Sequence, residues 1–307
     1  MMGQKKPSLV VVLTLMIMAV SFAQKNTLYI LHTNNTNGAL ENCYCPDHPY
    51  GAVEKRAVYV ADFIQKNHNT ILLDAGDIFT MTHQPLKDSL MAVAYGQLPY
   101  DAILFGDQEM TLPPDRRAQL ISMMDIPVVG TNIEGISTKV QILEKNGVKI
   151  AILGIMDPHA IKYYPESIRD QIELTNPAEA IQNEMNGLKD EVDVIILLTH
   201  QGADLDYDLA ESIDGIDVII GSHSQSNLES PETVNGTLIT QAGKEGFYIG
   251  VIELTLKKGK VVDQTGRTDT MKFEMPDNPA IMQLIEEYEQ KSGRVNHQKL
   301  RMRGKKH

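Results

Sequence analysis

Five short apolar runs each end in residues able to hold a metal ion or an anion. The run 28–33 leads into Asn34-Asn35-Thr36-Asn37-Gly38, and 70–74 leads into Ala75-Gly76-Asp77. The run 102–105 leads into Gly106-Asp107-Gln108-Glu109, 194–199 into His200, and 218–220 into Gly221-Ser222-His223-Ser224-Gln225. Asp77, Asp107, His200 and His223 together offer two carboxylates and two imidazoles, a nitrogen–oxygen set suited to Zn, Mn or Fe. Taken singly, a His after a strand is more often a satisfied structural group, and an Asp after Gly is more often a turn or helix cap. Five such ends in one chain point to a shared divalent-metal site.

Those residues need a scaffold that gathers strand ends. The runs are apolar on both faces, as strands are when helices cover both sides of a sheet. Open α/β sheets bind ligands outside the carboxyl ends of their strands. The run 148–154 predicts a further strand, and amphipathic patterns predict helices over 52–66, 86–97, 114–124 and 177–188. Asn176-Pro177 and Asn278-Pro279 are helix starts. Asn146-Gly147 predicts a tight turn between 140–143 and 148–153, and Asn235-Gly236 another before 237–241. Lys258-Gly259 turns the chain from 248–256 into 261–262. The mixture predicts an α/β fold, α+β-like in having four layers, with two packed mixed β-sheets flanked by helices.

The bulk properties exclude several partners. A net charge of −12 over 307 residues repels nucleic acid and anionic lipid. Trp is absent, and six Phe are too few for an aromatic sugar or base platform. Lys5 and Lys6, the apolar run 9–20 and Ser21-Phe22-Ala23 predict a secretory signal peptide over 1–23. That run is shorter than the roughly 20 residues a spanning helix needs. The expected product is therefore exported, periplasmic or secreted, without stable membrane insertion. One domain is expected over 24–275, then a C-terminal helix and basic tail over 276–307. Cys43 and Cys45 are too close in sequence for an unstrained disulfide. With His48 they could bind a soft metal or do redox chemistry; the plain alternative is a Pro-containing turn with two free thiols. No feature of the sequence speaks to the oligomeric state.

The runs 31–38, 73–77, 101–109, 197–200, 219–225 and 241–243 resemble, in order and spacing, the motifs of the calcineurin-like metallophosphoesterase superfamily. Within it the chain looks most like the N-terminal catalytic domain of the secreted 5′-nucleotidase and UDP-sugar hydrolase branch, over about 28–256. The resemblance implies nucleotide catabolism, a small phosphorylated or anionic substrate and two divalent metals. One metal would fall to Asn35, Asn37, Asp77 and Gln225, and the other to Asp77, Asp107, His200 and His223. This chain departs from the pattern at the first of these. Asn35 and Asn37 stand where the family has Asp and His, while Asp107 stands where it has Asn. The resemblance thus implies one strong transition-metal position and one weakened position, hard enough for Ca²⁺ or Mg²⁺ or left empty. Gln108 occupies the position of the family's catalytic His, and Thr111 that of the Asp orienting it. Gln cannot transfer a proton, and losing such a group costs roughly 10²–10⁴ in rate. Cys-x-Cys, Gly51, Arg56 and Gly-Asp-Gln-Glu also resemble a related exported branch with altered chemistry. Three readings follow: a metal-dependent phosphoesterase of reduced turnover, an inactive metal- or anion-binding protein, and a sulfur-compound hydrolase or redox protein using Cys43 and Cys45.

Overall fold

Three hairpins and two sets of parallel strands make up the sheets. The computed structural model describes residues 26–42, 50–188 and 191–294. The signal segment, Cys43, Cys45, His48 and the basic tail lie outside the described residues. The first sheet contains β1 (Asn26–Thr33), β2 (Thr70–Asp74), β3 (Ala102–Leu104) and β4 (Val128–Val129). The second contains β5 (Val140–Lys145), β6 (Val148–Met156), β7 (Val194–His200), β8 (Val218–Ile220), β9 (Glu232–Val234) and β10 (Thr237–Thr240). The chain then returns to the first sheet through β11 (Tyr248–Lys257) and β12 (Lys260–Thr270). Strand order is β12-β11-β1-β2-β3-β4 in one sheet and β5-β6-β7-β8-β10-β9 in the other. The strands that carry the candidate ligands run parallel within each sheet.

Alternation along the buried strands explains why they are apolar on both faces. Ile150, Ile152, Ile196, Leu198, Val218 and Ile220 join the large core shared with the first sheet. Ala151, Leu153, Ile195, Leu197 and Ile219 face the other way, with Ile181 and Leu188 of α6 (Pro177–Leu188) and Leu209 of α7 (Ala203–Ser212). The outer face of the first sheet takes α1 (Val53–Lys66), α2 (Pro85–Tyr95), α4 (Pro114–Met124) and α8 (Pro279–Ser292). Single turns form α3 (Asp107–Met110) and α5 (Glu166–Arg169). The expected four layers are present.

The turn chemistry is also as expected. Asn146 and Gly147 have φ 54° and 76°, Asn235 and Gly236 have 49° and 87°, and Lys258 and Gly259 have 54° and 72°. Positive φ at both central residues matches the twist of the flanking strands. The two longest departures from expectation are β12 and α7. β12 extends to Thr270, well beyond 261–262, because it is an edge strand with polar residues and weak apolar alternation. α7 went unpredicted because Asp204, Asp206 and Asp208 dilute its apolar face.

Arg56 of α1 is fully buried beneath the loop after β1. It donates to Thr36 Oγ1 at 3.0 Å, Tyr95 Oη at 3.1 Å and Tyr100 Oη at 3.2 Å. Tyr95 in turn donates to Asp74 Oδ2 at 3.0 Å. Burial works against the guanidinium, but Tyr100, Tyr95 and the nearby Asp74 hold it charged. The network anchors Thr36, and so the backbone between Asn35 and Asn37.

Asp206 supports the second sheet. Its Oδ1 accepts from Thr199 Oγ1 at 2.7 Å and Gln201 Nε2 at 2.9 Å. Burial nevertheless raises its carboxyl from 3.8 to about 7. A raised acid takes up a proton on folding, so its contribution is full below pH 4 and is lost as pH rises through 7. Asp206→Asn keeps the accepting oxygen without the charge. Its melting temperature is expected to exceed wild type at pH 8, by up to about 4 kcal/mol in stability. The gap should narrow to less than half at pH 5 and close only below about pH 4; thermal unfolding of both proteins at pH 8, 5 and 3.5 checks it.

Candidate metal centre

The carboxyl ends of β1, β2 and β3 meet those of β7 and β8 where the two sheets pack. β7 ends on His200, which is fully buried. Its Nε2 lies 2.7 Å from Asp107 Oδ1 and 3.5 Å from Asp77 Oδ1. His223 Nδ1 approaches the same Asp107 oxygen at 3.2 Å. Asp107, His200 and His223 each offer one ligand atom, all within 4.8 Å of one another.

Backbone conformation marks the same residues. Asn35, Asn37, Asp77, His223 and Gln225 have φ of 46°, 53°, 60°, 73° and 56°. Residues other than Gly seldom adopt this region, although Asn and Asp tolerate it through local hydrogen bonds. Gln225 is not among the residue types that favour it. Such conformations persist only where surrounding structure holds them, and they cluster at functional sites. Glu109 is one such restraint. Its carboxylate accepts from the backbone N–H of Asp77 and Gly106 at 2.9 Å each, Ile78 at 2.8 Å and Phe79 at 3.0 Å. It therefore ties the loop after β2 to the loop after β3.

The electrostatics show a centre balanced by a proton. Burial and the Asp107 charge raise Asp77 to about 6 against the pull of His200. Burial would raise Asp107 too, but hydrogen bonds from His200 and His223 hold it well below the usual carboxylate range. Burial opposes charge on His200, yet Asp77 and Asp107 together push it up to about 9. Without a metal, the two carboxylates therefore favour the charged form of His200. A divalent cation would replace that proton, so its affinity should rise with pH.

The other half of the site differs. Asn35 turns its Nδ2 to Asp77 Oδ2 at 2.9 Å, and its Oδ1 accepts from Ser222 Oγ and Asn34 Nδ2 at 3.0 Å each. Asn34 is fixed in turn by Gly243 O at 2.7 Å and Ala242 N at 2.8 Å. Asn37 Oδ1 accepts from Gln108 Nε2 at 2.8 Å. Gln225 is half-buried two residues beyond His223. Asp107, His200 and His223 fit a divalent transition metal by donor type and convergence. Asn35 and Asn37 have their amide oxygens committed to hydrogen bonds, and Asn35 aims a donor at the Asp77 carboxylate. That half fits a transition metal poorly.

Two features were not legible in sequence. Tyr164 reaches Asp107 from the segment after β6, an end that carries no ligand motif. His83 Nε2 lies 3.2 Å from Thr111 Oγ1, which also donates to Gln108 O at 3.1 Å. By contrast, the need for Gly106 could be read from Gly-Asp. A Cβ there would stand 2.4 Å from Asp77 Oδ1 and 2.5 Å from His200 Cε1. Gly106→Ala is expected to lower Mn²⁺ affinity roughly 10-fold or more, with an unchanged far-ultraviolet circular dichroism spectrum.

No family model matches the chain. The uncharacterized metallophosphoesterase YunD of Bacillus subtilis is 29% identical over 245 residues, covering 76% of this chain and 51% of that protein. The crystal structure of a 5′-nucleotidase precursor from Thermus thermophilus superposes with a TM-score of 0.77 at 24% identity, covering 87% of this chain and 59% of that one. The calcineurin-like phosphoesterase YfkN from Bacillus subtilis gives 0.74 at 23% identity, covering 87% and 98%. The chain spans about half the length of the curated relatives it matches. Its homologues and structural neighbours are calcineurin-like metallophosphoesterases and 5′-nucleotidases, and its two helix-flanked mixed sheets are the fold of their N-terminal domain.

Proposed function

We propose that this chain is an exported, metal-dependent phosphoesterase of the 5′-nucleotidase type, acting on small phosphorylated substrates with reduced turnover. The observation that carries the reading is the convergence of Asp107, His200 and His223 ligand atoms within 4.8 Å at the strand ends. Asp77 would complete that set and, with Asn35, Asn37 and Gln225, form a weaker second position. A divalent metal held there supplies Lewis acidity toward a phosphoryl oxygen. The chain's own contributions are separate. Glu109 and Arg56 fix the loops, and buried strand ends exclude water from the inner side of the site. Gln108 Nε2 offers a hydrogen bond in place of a proton. Export is supported by the basic and apolar residues of 1–23; among the described residues no helix is long and apolar enough to cross a membrane.

A panel of phosphomonoesters and phosphodiesters with added Mn²⁺ or Zn²⁺ tests this reading. Hydrolysis that depends on metal supports it. Metal binding without hydrolysis of any member would instead favour an inactive metal- or anion-binding protein. The observation behind that second reading is the Gln108–Asn37 bond, two amides where the family has two imidazoles.

A further inference from the structure

We infer that Tyr164 is a positioning residue for the metal centre, fixing which oxygen of Asp107 faces the ion. The inference rests on the proposed metal position and adds a residue outside its ligand motifs. An amide ligand presents one oxygen and one N–H₂, so its ligating atom is defined by chemistry. A carboxylate in the same place presents two equivalent oxygens, and the second needs a donor. Asp107 is mostly buried, at 7% exposure, so water is a poor source of that donor. Its Oδ1 faces His200 Nε2 at 2.7 Å and His223 Nδ1 at 3.2 Å. Its Oδ2 accepts from Tyr164 Oη at 2.6 Å. The phenol therefore occupies the oxygen turned away from the two imidazoles and leaves the other free to ligate.

The fold delivers Tyr164 without help from the five ligand-bearing strand ends. β6 lies beside β7, with Met156 paired to His200. The chain leaves β6 through a 3-10 turn, Pro158–Ile161, and Tyr164 N–H donates back to Ile161 O at 3.0 Å. The neighbouring Tyr163 is 89% exposed, whereas Tyr164 packs against the core with its hydroxyl turned inward. Outer partners of this kind orient ligands, and their removal costs 10–100-fold in metal affinity.

A double-mutant cycle read by metal affinity tests the assignment. Mn²⁺ is titrated into the full chain and free ion followed by electron paramagnetic resonance; thiolates bind Mn²⁺ weakly, so Cys43 and Cys45 do not interfere. Tyr164→Phe is expected to weaken Mn²⁺ binding roughly 10–100-fold. In an Asp107→Asn background, where the amide defines its own ligating oxygen, the same change should cost less than about 3-fold, so that most of the Tyr164 effect is coupling to Asp107. An equal loss in both backgrounds, or no loss in either, would overturn the role of Tyr164. Wild-type protein that binds no Mn²⁺ would instead overturn the metal position itself, and the inference with it.

Discussion

Replacing Gln108 by His and Thr111 by Asp together is expected to raise kcat on a phosphate ester by about 10²-fold or more, the rate a positioned proton donor supplies. Gln108 is the second residue of the α3 turn, directly after Asp107, and its backbone N–H points at Asp77 Oδ1 at 3.3 Å. Its side chain is buried, and Nε2 reaches Asn37 Oδ1. Its Oε1 is buried without a partner. The position is thus aimed across the site but filled by an amide, which can hydrogen-bond but cannot transfer a proton. An imidazole there could both donate and release a proton. The Thr111 hydroxyl already touches Gln108 O and His83, so a carboxylate at 111 would have an imidazole to orient on either side. Steady-state kinetics on a phosphomonoester and a phosphodiester check the gain. Unchanged kcat with intact Mn²⁺ binding would mean that position 108 does not face the leaving group.

Asp77→Ala is expected to remove both metal binding and hydrolysis, a larger loss than the 10–100-fold that follows removal of an outer partner. Asp77 lies between the two halves of the site: Oδ1 faces His200 Nε2, and Oδ2 takes the Asn35 amide. Truncation would leave His200 without one of the two charges that raise it, and Asn35 without its acceptor. His200→Ala should behave alike, since its Nε2 touches both carboxylates. His159→Ala is the matched control. That imidazole is exposed and bonds only to the Asp157 cap at 2.8 Å. Activity surviving both Asp77→Ala and His200→Ala would place the chemistry elsewhere.

Much of this arrangement was legible in sequence, for a physical reason. Buried parallel strands must be apolar on both faces, so Asp77, Asp107, His200 and His223 stand out as polar residues where each apolar run ends. Turn signals such as Asn146-Gly147 were equally clear, because few residues accept positive φ. The remainder depends on three-dimensional approach. Tyr164 lies eight residues beyond the end of β6, and nothing in its neighbours marks it as inward-facing. The Asn35–Asp77 and Asn37–Gln108 bonds join residues 42 and 71 positions apart. Sequence could say that amides replaced ligands; it could not say that those amides would bond to Asp77 and to Gln108.

The asymmetry of the centre is the claim on which the rest depends. Anomalous scattering from crystals grown with Zn²⁺ or Mn²⁺ measures it directly. The expected map has one strong peak coordinated by Asp107, His200, His223 and Asp77, with a weaker peak or none beside Asn35 and Asn37. Two peaks of equal strength, or none at the two-histidine position, would contradict it.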